Sequence, residues 1–334
     1  MTAGVLAEHR RVFNRSWPAW ERGKGDAQFL SSVANAIIEH TSPGHCILTD
    51  QHVRKIGCHV IESRIVGWVG IGDQGLPLVR RLLSSIHPVH IWARREASLE
   101  PLLATRAISL PTLIDLGKRC EYIGICVTSD ADVKEIVIDS GLLRSMRAES
   151  TLVVHSTVSP TTCSTIAEAA APLGISVLDA PVTRNGASQE DSEFSFLVGG
   201  SSQVLERERG VLSAMSEHVF HLGPLGSGQL MKILNNTLAM SNLALIFEAL
   251  KAAQSLDIDP DAVLEALHHT SGGSVMVDFV PFYRPMPRMD YVALLDKDVA
   301  LFESLYTSNA GSLIATTARR MVDQLKCGGS SPQE

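Results

Sequence analysis

The stretch Ile65-Val66-Gly67-Trp68-Val69-Gly70-Ile71-Gly72-Asp73-Gln74-Gly75-Leu76-Pro77-Leu78-Val79 decides how the rest of this 334-residue chain is read. Ile65–Val69 reads as a short apolar strand, and Leu76–Leu83 as a helix. Between them, glycines at 70, 72 and 75 form a G-x-G-x-x-G. The first glycine permits a tight turn, the second lets the backbone approach a pyrophosphate, and the third lets helix and strand pack closely. The helix N-terminus then offers its free N–H groups to an anion. Glycines at this spacing arise often by chance; the strand before and the helix after give the motif its meaning.

The same rhythm continues downstream. Strand-like runs at Val89–Trp92, Tyr122–Val127, Leu152–His155, Ile175–Asp179 and Phe194–Val198 alternate with helical stretches. Such alternation predicts parallel βαβ units in a Rossmann-type sheet. After about Gly226 the strands stop. Leu230–Leu256 reads as one long helix, apolar nearly all round, as a helix buried between neighbours is. Asp259-Pro260 reads as an N-cap with proline at the first helical position, opening a helix to about His268. Further helices are expected at Tyr291–Ser308 and Ser312–Leu325. The fold class expected is an α/β Rossmann-type doubly wound domain followed by an all-α domain. Residues 64–224 form the first, 225–327 a helical substrate and dimerisation domain, and 328–334 a flexible tail. Residues 1–63 form an N-terminal extension with no βαβ rhythm and a helix expected at Ala27–Glu39. An added arm, a targeting segment and a start codon placed too early all stay open for it.

Composition excludes several classes of function. Apolar residues make up 45% and charged residues 19%, enough for a sizeable core. Twenty-nine basic against 36 acidic side chains leave a net charge of −7, so the chain lacks the basic footprint of a nucleic-acid or membrane-surface binder. Aromatic content of 5% provides no stacking platform for single strands. The longest apolar stretch, Leu238–Leu250, is interrupted by Ser241, Asn242 and Glu248, short of the roughly 20 residues of a membrane span. The expected partner is a small molecule, neither nucleic acid nor membrane. None of the six cysteines forms a C-x-x-C pair, which points to a reducing compartment. A cytoplasmic location is expected. The mitochondrial matrix is a minor alternative, since the opening residues are Arg-rich but hold Glu8, Glu21 and Asp26. His45, Cys46, His52, Cys58 and His59 fit no structural-zinc spacing, and no metal site is expected.

An NAD site ordinarily presents Asp or Glu at the end of the second strand, for the ribose 2′-hydroxyl. Here that strand runs into Ala93-Arg94-Arg95, with no acid before Glu96. Two planar, multi-donor guanidiniums suit a 2′-phosphate, so NADP is favoured and NAD stays as the alternative. The bland reading of Arg94 and Arg95 is a solvated basic loop.

From Arg64 to about Leu325 the chain resembles the β-hydroxyacid dehydrogenases, the group containing 3-hydroxyisobutyrate, tartronate semialdehyde and threonate dehydrogenases. The glycine loop is one carrier of that resemblance. Another is Ser156-Thr157-Val158-Ser159-Pro160, similar to the family's strand-end Ser-Thr-x-x-Pro. A third is Asp179-Ala180-Pro181-Val182-Thr183, followed by Val198-Gly199-Gly200. The fourth is Gly226-Ser227-Gly228-Gln229-Leu230-Met231-Lys232-Ile233-Leu234-Asn235-Asn236, similar to G-x-G-x-x-x-K-x-x-N-N, with a late Lys297-Asp298 pair. The second domain would accordingly resemble the helical domain of 6-phosphogluconate dehydrogenase.

Lys232 and Asn236 stand one turn apart on one helix face, so both can point into one cleft. A lysine at the start of a mostly apolar helix is placed to have its pKa lowered toward neutrality. The resemblance implies that Lys232 is the general acid/base of an oxidoreductase acting on a β-hydroxy acid. It further implies that Asn236 and Thr183 bind substrate, and that Gly70, Gly72, Asp73, Gln74, Gly75, Val127, Thr128 and Thr157 border the cofactor. Lys297 would reach the cofactor or close the cleft. Where the family usually has glycine after Thr183, this chain has Arg184, which either clamps a carboxylate or narrows the pocket or turns outward. His155 reads as a satisfied buried histidine. An imine or other carbonyl reductase on this scaffold, or a non-catalytic binding module, would be expected to replace Lys232. A homodimer or homotetramer through the long apolar helix is expected, because one small helical domain cannot easily bury it.

Overall fold

The computed structural model describes residues 64–85, 87–185, 193–283, 289–306 and 311–327, all within one compact unit. The helix expected at 27–39, the His/Cys group at 45–59 and the tail from 328 lie outside these residues.

Strand β1 (Val66–Val69) is buried along its whole length and pairs in parallel with β2 (Val89–Trp92) and β4 (Tyr122–Ile125). β3 (Ile108–Ser109) lies outside β2, β5 (Thr151–Val154) beside β4 and β6 (Ser176–Asp179) beside β5, all parallel. The spatial order is therefore β3-β2-β1-β4-β5-β6. Strands without apolar–polar alternation are what a sheet covered on both faces requires. One face packs Val66, Trp68, Val89 and Ile91 against Leu78, Val79 and Leu82 of α1 (Gly75–Leu83). The other packs Ile123, Ile125, Leu152 and Val154 against α2 (Leu113–Arg119), α3 (Asp130–Lys134), α4 (Leu142–Ser145) and α5 (Pro160–Ala170).

Beyond β6 the sheet departs from the all-parallel expectation. The chain turns at Ala180-Pro181 into β7 (Val182–Asn185), which pairs antiparallel with β8 (Glu193–Gly199). β8 also meets β6 antiparallel at Asp179/Gly199 and runs parallel to β9 (His218–Gly223). β8 was expected to run with the others; the short 186–192 connection cannot carry the crossover that a parallel neighbour needs. β3, β7 and β9 were not expected as strands: two residues make no pattern, Thr183 and Arg184 are polar, and β9 is a half-exposed edge. α6 (Ser202–Met215) returns to the first face with Leu205, Val211, Leu212 and Met215.

The second part is helical: α7 (Ser227–Ser255), α8 (Pro260–Leu267), α9 (Val280–Tyr283), α10 (Met289–Leu305) and α11 (Leu313–Lys326). Asp259 caps α8 by accepting from the Asp261 N–H, with Pro260 at the first turn as expected. Met240, Leu243, Ile246 and Leu250 of α7 share a core with Val292, Leu295 and Val299 of α10 and Ala318, Met321 and Val322 of α11. By length and composition alone, α7 is long and apolar enough to cross a membrane. It nevertheless buries Gln229, Lys232 and Thr237 and packs on α10 and α11, as the core helix of a globular domain does. One face of α7 is left uncovered by the described residues. Leu230, Leu234, Leu238 and Leu245 stay exposed, because α10 and α11 cover only the other side.

Candidate active site

At the end of β1 the backbone reverses at Gly70, whose φ is +98°. A Cβ there would stand 2.0 Å from the Cys126 carbonyl oxygen at the end of β4, so no other residue fits this turn. The indole N–H of Trp68, fully buried, donates to the Gly70 carbonyl at 2.9 Å. Gly72, by contrast, faces open space. Gln74 at the start of α1 makes no side-chain capping bond; the Leu76 N–H is taken by the Gly72 carbonyl at 3.0 Å and Pro77 has no N–H, so the Gly75 N–H is the first-turn amide left for an anion. Asp73 and Gln74 are exposed beside it. An open glycine edge facing an uncapped helix N-terminus fits a dinucleotide pyrophosphate.

Arg94 and Arg95 follow β2 and are exposed. Arg94 is already engaged: it donates to Glu135 Oε2 at 3.0 Å, and its second terminal nitrogen lies 3.6 Å from Asp132 Oδ1. No carboxylate stands at the end of β2 itself.

The strand ends of β4 and β5 are fastened to one another and to the helical part. The Val127 N–H donates to Ser156 Oγ at 2.7 Å. Gln229, fully buried on α7, accepts from the Val158 N–H at 3.0 Å and donates to the Ser156 carbonyl at 2.9 Å. Lys297, on α10, donates to the Thr157 carbonyl at 2.6 Å and the Thr128 carbonyl at 3.4 Å. Val127, Thr128, Thr157 and Lys297 are thus brought together, with Lys297 reaching from α10 to the strand ends. His155 sits beneath, stacked on Trp68 at 5.0 Å between ring centroids. One ring nitrogen meets the Tyr122 hydroxyl at 2.8 Å and the other the Ala180 carbonyl, also at 2.8 Å. A carbonyl only accepts, so Nδ1 carries the proton and Nε2 accepts from Tyr122. Burial lowers its pKa to about 4, so it is a neutral core residue.

Asp179 stands at the end of β6, and the sequence motif that contains it assigns it no role. Its two oxygens accept from the Gly226 and Gln229 N–H groups, each at 2.7 Å. A buried carboxylate thereby holds the positive end of α7 against the sheet. Burial raises its pKa, and these backbone bonds oppose that rise. The carboxylate fits because Gly199 and Gly228 have no side chain: a Cβ would stand 2.4 Å from Asp179 Oδ1 at the first and 2.7 Å from Oδ2 at the second.

From that anchor α7 carries Lys232 inward, 5% exposed. Among the described residues no hydrogen bond holds its ammonium. Burial lowers its pKa to about 8; Asp298 opposes the shift, while Arg184 and Lys297 add to it. Asn236, one turn on, donates to Asp298 Oδ2 at 2.6 Å. Asn235 donates to Asn236 Oδ1 at 3.3 Å and to Thr183 Oγ1 at 3.4 Å. A polar chain therefore runs Thr183–Asn235–Asn236–Asp298 beside Lys232. Asn235 and Asp298 were legible only as motif letters; that each holds Asn236 came from the fold. Arg184 lies close enough for its charge to act on Lys232 and on the buried phenol of Tyr283.

A dinucleotide-binding sheet joined to a helical domain that buries one lysine beside paired asparagines defines an NAD(P)-dependent oxidoreductase. Residues 65–223 match the NAD binding domain of 6-phosphogluconate dehydrogenase. Residues 226–333 match the family described as NAD-binding of NADP-dependent 3-hydroxyisobutyrate dehydrogenase. A 3-hydroxyisobutyrate dehydrogenase of Pseudomonas aeruginosa is 30% identical over 223 residues, 66% of this chain and 74% of its own. An NAD-dependent L-serine dehydrogenase of the same species is 26% identical over 261 residues, 74% of this chain and 87% of its own. The solved structure of a Mycobacterium tuberculosis 3-hydroxyisobutyrate dehydrogenase with L-serine superposes with a TM-score of 0.68 at 20% identity, covering 80% of this chain and 94% of its own. The chain belongs to the β-hydroxyacid dehydrogenase family, NAD(P)-dependent enzymes that act on the CH–OH group of hydroxy acids.

Proposed function

We propose that this enzyme interconverts a β-hydroxy acid of the 3-hydroxyisobutyrate type and its semialdehyde or keto form, with NADP preferred over NAD. The observation that carries this reading is Lys232: buried, with its pKa lowered to about 8, and one turn from Asn236. A bound nicotinamide supplies the hydride acceptor or donor. Lys232 takes the hydroxyl proton during oxidation as the neutral amine and returns it during reduction as the ammonium. Asn236 gives one N–H to Asp298, which leaves its second N–H for the substrate oxygen. Thr183 and Arg184 bind the carboxylate end. The NADP preference draws support from Arg94 and Arg95 and from the lack of a carboxylate ending β2. A homodimer or homotetramer draws support from the exposed leucines of α7.

The test is a panel of 3-hydroxy acids and semialdehydes with both cofactors, run on the wild type and Lys232→Ala. Turnover by the wild type and a loss of about 10²- to 10⁴-fold in the variant, with NADPH binding retained, are expected. A wild type that binds NADPH yet turns over none of the panel overturns the substrate reading. A preference for NAD overturns the role given to Arg94 and Arg95.

A further inference from the structure

We propose that Asp132 and Glu135 set the cofactor preference by holding the Arg94 guanidinium that a 2′-phosphate must take. The inference rests on the reading of Arg94 as the residue facing the ribose. β1 lies between β2 and β4 in the sheet, and the glycine loop follows β1. Arg94 follows β2, whereas Asp132 and Glu135 belong to the helical turns after β4. Their ion pairs therefore pass across the C-terminal end of β1, on the side where the second strand meets the ribose.

Asp132 is oriented for this contact. Ser129 Oγ donates to its Oδ2 at 2.6 Å, and the Asp132 N–H donates back to that hydroxyl at 3.1 Å. The other oxygen, Oδ1, is the one 3.6 Å from Arg94. Glu135 completes the pairing at 3.0 Å. An exposed ion pair contributes little to folding, but these carboxylates occupy donors that a phosphate dianion needs. NADP must displace them, whereas NAD, with a 2′-hydroxyl, leaves them in place. The acids thus narrow the gap between the cofactors by weakening NADP rather than by binding NAD.

The test measures NADPH and NADH dissociation constants by cofactor fluorescence, without turnover, in the wild type, Glu135→Gln, Arg94→Gln and a charge control on α5, Glu168→Gln. Glu135→Gln is expected to tighten NADPH about two- to fivefold, the size of an exposed ion pair, and to leave NADH within about twofold. Asp132→Asn combined with it adds to the same shift, and Glu168→Gln moves neither constant. Arg94→Gln is expected to weaken NADPH about tenfold or more while sparing NADH. If Arg94→Gln behaves so but Glu135→Gln leaves NADPH unchanged, the inference alone is overturned. Weaker NADH binding in Glu135→Gln also overturns it, by assigning that carboxylate to a ribose hydroxyl. An Arg94→Gln chain that binds NADPH like the wild type overturns both the inference and the reading beneath it.

Discussion

Lys232 trades stability for a proton that can move near neutrality. Its pKa falls from 10.5 to about 8 chiefly because burial disfavours the ammonium. Below pH 8 the folded chain holds a buried cation, and the resulting destabilisation is relieved as pH rises from about 8 toward 10.5. Lys232→Met should therefore be more stable than the wild type at pH 7 by about 1–3 kcal/mol in urea unfolding, while losing activity. The gain should shrink as pH approaches 10. Oxidation needs the free amine, so kcat/KM for the hydroxy acid should rise with pH and level off above about 8. Asp298 raises the Lys232 pKa, so Asp298→Asn should move that break to lower pH. The shared face of Lys232 and Asn236 was legible from their spacing. The carboxylate facing them was not, because Asp298 stands 62 positions from Asn236.

At the scale of elements, the junction of β6, β8 and α7 decides where Lys232 sits. Asp179 receives the first N–H groups of α7 only because Gly199 and Gly228 let three backbones approach. A Cβ on Gly228 would stand 2.0 Å from the Leu197 carbonyl oxygen of β8. Gly228→Ala should push α7 from the sheet, lowering stability by about 2–4 kcal/mol in urea unfolding and reducing kcat by displacing Lys232. The motif Gly226-Ser227-Gly228 was visible in the sequence as a signature. Its physical reason, close contact with β8 and Asp179, needed the reversed direction of β8, which apolar content alone does not encode.

Over the whole molecule, side chains of the helical part reach the ends of the sheet strands. Lys297 is one, spanning 140 positions to reach the Thr157 carbonyl; Gln229 is another. Lys297→Met should raise the cofactor KM several-fold by loosening the cleft. It also removes a cation that lowers the Lys232 pKa, so the pH break should move up, opposite to Asp298→Asn. Opposite shifts in a single pair of pH profiles would place both side chains in the field of Lys232.

The sequence alone determined the strand–helix alternation, the glycine loop, the long helix and the common face of Lys232 and Asn236. Each is a local pattern, set by residues within a few turns of one another. Only the tertiary structure decided that β8 runs antiparallel, that Asp179 anchors α7, that His155 is neutral between Tyr122 and Ala180, and that Arg94 is held by Asp132 and Glu135. These pairings join residues tens of positions apart, and charge or hydrogen-bonding capacity at one position carries no record of which distant partner the fold will bring to it.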